Sequence, residues 1–123
     1  FSSWVRDLFI KLQYAWADRD WSTMRCFETK ELYEQHSSQL QRYIQNKQIN
    51  KLERVSVNFV KFLSFEQIAG KDILSVIVNS KMIDYIVDEE TNEIIKGDIN
   101  NYKINNYKLL KLHHQVNAHI VEV

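Results

Sequence analysis

The chain has 123 residues, of which 45% are hydrophobic and 12% aromatic, and its 16 basic and 16 acidic side chains cancel. This length and apolar content fit one globular domain and exclude a disordered chain. The balanced charge argues against nucleic acid as the main partner, because counterion release needs a net basic surface. The single cysteine, Cys26, excludes an internal disulfide, and we expect it to be buried as a small hydrophobic side chain.

The first half of the chain predicts three helices. Apolar residues at helical spacing from Trp4 to about Ala17 predict the first helix. A short helix follows the candidate cap Asp20, and Thr29 is the candidate cap of a third helix that fades near residues 46–47. No proline interrupts this region, so the three helices should pack as one layer.

The second half predicts an antiparallel meander. From about Leu52 the hydrophobic period changes to two, and a second strand of unusual length follows at about residues 73–87. Both faces of that strand are apolar, so we expect both to be covered, one of them by the helices. A hairpin turn is predicted at residues 89–92 with Asn92 at positive φ, and a bulge or bend at Gly97. A strand to about residue 113 and a further strand or tail complete the chain.

Helices followed by an antiparallel sheet form an α+β order. We predict a single domain over residues 1–123, excised from a longer chain, with three helices on a strongly curved antiparallel sheet of about four strands. Such a cone leaves an apolar pocket between the first helix and the concave sheet face. The side chains expected near this pocket are Trp4, Trp16, Phe27, Met82 and Ile86. The alternative is that these side chains simply fill the core.

One carboxylate could support acid–base chemistry. Asp84 lies in the middle of the long strand, on the same face as Met82 and Ile86. Burial there would suit a general base, and His36, on the apolar side of the third helix, could assist it. A structural aspartate is the alternative, because no nucleophile elbow or phosphate loop accompanies these residues.

The acidic and imidazole clusters do not predict a metal site. The acidic residues around the hairpin turn at 89–92 lack the alternating oxygens and central glycine of a calcium loop, and indicate a solvated hairpin tip. His113 and His114 are neighbours on a predicted strand, so their side chains point to opposite faces. We therefore predict no metal and no cofactor.

Basic residues gather around the end of the third helix and the first strand. With apolar neighbours they could contact anionic lipid headgroups, each contributing about 1 kcal/mol near a membrane surface. The alternative is a solvated face without a ligand. The residues are Arg42, Lys47, Lys51, Arg54 and Lys61.

Short motifs follow one another in a definite order along the chain. They are Leu12-Gln13-x-Ala15-Trp16, Asp20, Met24-Arg25-x-Phe27-x-Thr29-x-Glu31-Leu32 and Met82-x-Asp84-Tyr85-x-x-Asp88-x-x-Thr91-Asn92-x-x-x-x-Gly97. Their order resembles the Tim44-like domain family, named for the peripheral subunit that anchors the import motor at the mitochondrial inner membrane. The resemblance extends from about Trp4 to Lys111. The chain departs from the family at Asn92, where the family usually has glycine, and in the weaker aromatic pattern of its last strand.

The resemblance implies a nuclear-transport-factor-two-like cone, no enzymatic activity, membrane association and a protein-binding or tethering role. Abundant Lys, Ile and Asn suggest an AT-rich genome, so we expect a bacterial member whose domain follows a membrane anchor, with the mitochondrial inner membrane as the alternative. We predict a non-catalytic domain that binds lipid or a protein partner through the apolar pocket or the sheet face. Two alternatives stay open, a small-molecule enzyme that uses Asp84 and a homodimerisation module that pairs through the outer sheet face.

Overall fold

The computed structural model describes residues 2–112 and 118–122, with helices first and strands second. The helices are α1 Ser2–Asp18, α2 Trp21–Phe27 and α3 Lys30–Gln45. The strands are β1 Gln48–Ile68, β2 Lys71–Asp88, β3 Ile94–Gly97, β4 Lys103–Leu112 and β5 Ala118–Glu122. This order confirms the predicted α+β class. The predictions for His113 and His114 lie outside the described residues.

Side-chain caps begin the second and third helices, as predicted. The Asp20 carboxylate accepts hydrogen bonds from the Thr23 backbone N–H at 3.1 Å and from its hydroxyl at 2.6 Å. Thr29 Oγ1 accepts one from the Leu32 N–H at 3.2 Å. These bonds satisfy backbone donors that the first turn of a helix leaves without an intrahelical partner.

The prediction that Cys26 is buried is wrong, because its side chain is exposed. The short helix α2 turns Met24 into a small core cluster with Ala15 and Leu40. A residue two positions further along a helix lies about 200° around the axis. Cys26 therefore faces away from the cluster that Met24 fills.

The strands form one open antiparallel sheet in the order β1-β2-β4-β5, and β3 pairs with β2 beside β4. The strands β1 and β2 pair along almost their whole length, from Gln48–Asp88 to Ile68–Lys71. The register shifts between Glu53 and Ser56, between Val57 and Phe59, and between Phe62 and Ser64. Each shift adds a residue to β1 only, and such bulges bend and twist a sheet locally.

The helices pack on one face of the sheet, called here the inner face. Residues paired directly across antiparallel strands share a face, so the buried Val78 and its partner Tyr107 both point toward α1. Phe9 of α1 is fully buried there, with its ring 4.9 Å from the Tyr107 ring. On the opposite, outer face, Ile77 of β2 is half-buried, whereas Ile83 and Val87 are buried. The prediction that both faces are covered is therefore met on the inner face, where α1 packs, and on part of the outer face.

Two special backbone positions shape the region after β2, and both were predicted. Asn92 has φ of 61° in the β2–β3 turn, and Gly97 has φ of 97° at the end of β3. A Cβ atom at Gly97 would lie 2.5 Å from the Asp84 backbone oxygen and 2.7 Å from the Tyr85 Cα. Glycine at 97 therefore allows both the backbone conformation and the close approach to β2.

The β2–β3 turn should lose stability in acid because of Asp88. Its carboxylate accepts hydrogen bonds from the Thr91 and Glu90 backbone N–H groups, at 3.0 and 2.9 Å, and these bonds hold the pKa of Asp88 below its ordinary value of 3.8. Because the pKa of Asp88 is lower in the folded than in the unfolded state, its hydrogen bonds stabilise the fold fully above the unfolded-state pKa. This stabilisation is lost as the pH falls through the folded-state pKa. In an NMR pH titration, the Glu90 and Thr91 amide signals should shift with a midpoint below pH 3.8. The variant Asp88→Asn should not show this transition. A midpoint at or above that value would contradict this account.

Candidate functional site

A cavity of about 340 Å³ lies between the helices and the inner face of the sheet, near the start of β1. This volume falls within the range of small-ligand sites. Its lining combines apolar residues such as Leu12, Leu32 and Leu52 with many polar side chains. The polar residues that matter below are Glu28, His36, Asn50, Asp84 and Lys103. Polar and apolar surface thus contribute about equally to this cavity beside α1, which is called the polar cavity below after its charged side chains.

Glu28, which follows the last residue of α2, places a buried carboxylate in the cavity wall. Its side chain is 1% exposed, and its Oε2 lies 2.8 Å from Nδ1 of His36. Because an ionised carboxylate can only accept, Nδ1 is the nitrogen that donates. The other oxygen, Oε1, is buried without a hydrogen-bond partner among the described residues. Buried acceptors are nearly always satisfied in folded proteins, so Oε1 has capacity for a further donor.

Asp84 belongs to a hydrogen-bonded network that crosses the cavity floor. Its Oδ1 accepts from the Asn50 amide at 2.7 Å, and its Oδ2 accepts from Lys103 Nζ at 3.4 Å. Asn50 Oδ1 in turn accepts from the Trp16 indole N–H at 2.9 Å. The network therefore connects α1, β1, β2 and β4 at one point.

The two residues that were considered together for acid–base chemistry line the same cavity but are bonded to different partners. His36 bonds to Glu28, and its ring packs edge-on against Trp16 with centroids 5.1 Å apart. Both oxygens of Asp84 are engaged by Asn50 and Lys103. Each of the two residues is therefore positioned by its own partners in the cavity wall.

Three of the five side chains predicted near an apolar pocket meet at the main core. Trp16 packs against this core and also lines the polar cavity. Met82 is buried in the main core and Phe27 packs against it. Ile86 is half-buried on β2, and Trp4 is exposed near the start of α1. For Met82 and Phe27 the structure matches the alternative interpretation, in which these side chains fill the core.

Glu28 is the cavity residue that sequence reasoning missed. It precedes the cap Thr29, where a charged side chain is ordinarily exposed. The available signal was His36, since a histidine on the apolar side of a helix needs a polar partner when it is buried. Nothing in the spacing of Glu28 and His36 identifies that partner, because the contact crosses the link between two helices.

The basic residues predicted as lipid contacts are interleaved with acidic ones. Lys47 Nζ lies 3.0 Å from Glu90 Oε1, and both side chains are exposed. Lys51 shares a shallow surface depression with Asp18 and Glu53. The other three members are Arg42, near the end of α3, Arg54, at the first bulge of β1, and Lys61, which is exposed further along β1. The acidic neighbours weaken the local positive field, and the lipid-contact prediction stays a prediction.

The far end of the β1–β2 hairpin carries exposed aromatic side chains on the inner face. Phe62 pairs in register with the core residue Val76, and Phe65 pairs with Leu74, two positions before it. Both rings therefore point to the side of the sheet on which α1 packs. They are 61% and 58% exposed, so the helices leave them uncovered. Phe62 and Phe65 are called the distal apolar surface below.

Other exposed apolar side chains occur elsewhere on the sheet. Phe59 of β1 pairs with Asn79, which places its 48% exposed ring on the outer face. A further group lies on β3, the connection to β4 and the start of β4, and one of its rings, Tyr102, has the Lys81 ammonium 4.9 Å from its centroid. Its members are Ile94, Ile95, Ile99, Tyr102 and Ile104. The distal apolar surface differs from both because it continues the inner core face.

Comparison with known proteins identifies the fold and the family of this domain. A family model described as Tim44-like domain matches residues 1–108. The intermembrane space region of chloroplast protein ARC6 superposes with a TM-score of 0.58 at 10% sequence identity, over 99% of this chain and 93% of that one. At this identity the likeness shows the fold alone. No curated protein matches the chain.

Proposed function

The chain belongs to the Tim44-like domain family, and from that premise we propose that it is a non-catalytic binding and tethering domain that holds a protein partner at a membrane. The observation that carries the proposal is the distal apolar surface, with Phe62 and Phe65 more than half exposed beside the core. Large apolar patches at the surface of a soluble domain often mark interaction sites. The two rings also lie on one face, as a docking surface requires.

The partner segment proposed for this surface is an amphipathic helix. The helix α1 already packs its apolar side, including Val5 and Phe9, on the inner face. The distal apolar surface continues that face past Val60, so a second helix could pack end to end with α1 in the same helix-on-sheet arrangement. Burying the exposed parts of the two rings would contribute roughly 5 kcal/mol before the costs of association.

A protein partner suits the local charges better than an anionic membrane does. Lys61 and Glu66 are neighbours of the two rings along β1, but they pair with Ile77 and Ile73 and so lie on the outer face, where their charges cancel. Lys47 is paired with Glu90 at the other end of the hairpin. Attraction to anionic lipid would need an excess of basic residues. No helix in residues 2–112 and 118–122 is long and apolar enough to cross a membrane. Membrane association rests on the family resemblance, and the preference for a bacterial over a mitochondrial inner membrane rests on the composition of the chain.

The proposed absence of catalysis rests on the family resemblance. Asp84 accepts hydrogen bonds from Asn50 and Lys103, and Nδ1 of His36 is bonded to Glu28. Asp84 lines the cavity and lies apart from the distal apolar surface, so Asp84→Asn should leave partner binding unchanged.

The double variant Phe62→Ser/Phe65→Ser tests the proposal, with Phe59→Ser as the matched control on the outer face. We expect one protein to copurify from the native membrane fraction in stoichiometric amount with the unchanged chain and with Phe59→Ser. The double variant should recover at least about tenfold less of it. All three proteins should unfold at similar temperatures, because the replaced rings are exposed.

Two parallel measurements identify other occupants of the surface. Cosedimentation with phosphatidylglycerol vesicles that needs Phe62 and Phe65 would assign the surface to lipid. A doubled mass in light scattering that the double variant abolishes would assign it to a second copy. Either result, or equal recovery of the partner by the double variant, would contradict the proposal of a protein helix.

A further inference from the structure

We propose that the polar cavity binds a small cationic group that donates N–H hydrogen bonds, a primary ammonium or a guanidinium, with Glu28 as its main acceptor. This site is separate from the distal apolar surface. It is built from helix and strand residues around the cavity of about 340 Å³, which suits a group of a few heavy atoms and its surroundings.

The unpartnered oxygen of Glu28 is the first argument. Its side chain is 1% exposed, one oxygen is bonded to His36, and Oε1 has no partner among the described residues. Leaving a buried carboxylate oxygen unsatisfied is unfavourable, so a donor that reaches it is favoured. A carboxylate accepts most strongly from a charged N–H group, which selects a cation over a neutral amide.

The charges in the lining are the second argument. Glu28 and Asp84 contribute two carboxylates, and Lys103 contributes one ammonium, which lies 3.4 Å from Asp84. Carboxylates therefore outnumber ammonium groups in the lining by two to one, and this excess favours a bound cation over an anion.

Trp16, which lines the cavity, and His36, which bonds to Glu28, restrict the shape of the ligand. The Trp16 indole lines the cavity and packs against His36, and an aromatic face attracts a cation. The His36 side chain, 23% exposed, bonds to Glu28. Since Glu28 is almost closed to solvent, only a compact donor that displaces few side chains can reach Oε1. Bulky quaternary ammonium groups lack the N–H donor and should be excluded.

The test uses the Trp16 indole N–H signal in a ¹H–¹⁵N NMR titration of the whole chain. Methylguanidinium and methylammonium should shift it saturably, with dissociation constants in the millimolar range. Tetramethylammonium, which has the charge without the donor, and urea, which has donors without the charge, should not. The Trp4 indole is the internal control, because it lies outside the cavity lining. A Trp16 shift that does not saturate, or one equally large with tetramethylammonium, would overturn the proposal.

The variant Glu28→Gln keeps the size of the side chain and removes its charge, and it should weaken methylguanidinium binding at least about tenfold. Glu34→Gln, an exposed glutamate of the same helix α3 as His36, is the matched control and should bind as the unchanged chain does. Equal affinity of folded Glu28→Gln would overturn the proposal. If Glu28→Gln does not fold, Asp84→Asn is tested in its place. We expect it to bind methylguanidinium more weakly, and unchanged binding would overturn the proposal.

The same chemistry could come from a free amine or from an arginine side chain of a partner. A capped Gly-Arg-Gly peptide titrated beside methylguanidinium distinguishes the two sources. Tighter binding of the peptide would assign the site to a partner side chain, and tighter binding of the free cation would assign it to a small molecule. Either result must be accompanied by a shift of the Trp16 indole N–H signal and would support the proposed cation site. If neither ligand binds, the proposed site is refuted.

Discussion

Replacing Phe9 by alanine is expected to lower the free energy of unfolding by about 3–5 kcal/mol. The Phe9 side chain is fully buried on α1 and packs on Tyr107 of β4. Its removal leaves a cavity where the helical layer meets the inner face, and neighbouring side chains fill such a cavity only in part. Urea denaturation followed by tryptophan fluorescence measures the loss.

The control for this prediction is Phe62→Ala on the same face of the sheet. The Phe62 ring is 61% exposed, so its removal should change stability by less than about 1 kcal/mol. Similar losses for the two variants would mean that α1 does not cover the sheet as described. A larger loss for Phe62→Ala would show that the distal apolar surface is buried in the isolated chain.

Replacing Gly97 by alanine is expected to destabilise the domain by at least about 2 kcal/mol. Two costs add at this position. The residue has φ of 97°, and a new Cβ would lie 2.5 Å from the Asp84 backbone oxygen. That oxygen belongs to the long strand β2 and cannot move aside as a flexible side chain could. Thermal unfolding should show the loss directly.

Gly70→Ala separates the two costs. Gly70 also has positive φ, 77°, but a Cβ there would meet nothing within 4 Å. Its replacement should cost only the backbone term, about 1 kcal/mol. If Gly97→Ala were no more destabilising than Gly70→Ala, the close approach of β3 to β2 would be refuted.

Features that depend on neighbours along the chain could be predicted from the sequence. The caps Asp20 and Thr29, the positive φ of Asn92 and the bend at Gly97 follow from residue types with strong local preferences. The second strand was predicted at about 73–87 and observed at 71–88. The first begins at Gln48 rather than near Leu52, because pairing with the end of β2 extends it through polar residues.

Features that depend on contacts between distant elements could not be predicted in this way. The bond from His36 to Glu28 and the network around Asp84 join residues from separate elements. The pocket was expected to be apolar because a cone-shaped domain usually leaves an apolar pocket between its first helix and the concave face of its sheet. Met82 and Phe27 pack into or against the core instead, and polar residues line the cavity.

The exposure of Phe62 and Phe65 also escaped sequence reasoning. Alternation assigns each residue of a strand to a face, but it does not say how far the covering helices extend along the strand. Three bulges in β1 change the register, so a simple period of two also misassigns residues beyond each bulge. The docking surface proposed here therefore depends on the pairing of β1 with β2.

Site-specific photo-crosslinking in cells tests the central claim most directly. A benzophenone-bearing amino acid would replace Phe62 or Phe65 on the inner face, or Phe59 on the outer face, since all three rings are exposed. The account predicts crosslinks from positions 62 and 65 to one peptide with apolar residues at helical spacing, and none to that peptide from position 59. Crosslinks to that peptide from position 59 alone, or products from 62 and 65 that contain only lipid or a second copy of this chain, would contradict it.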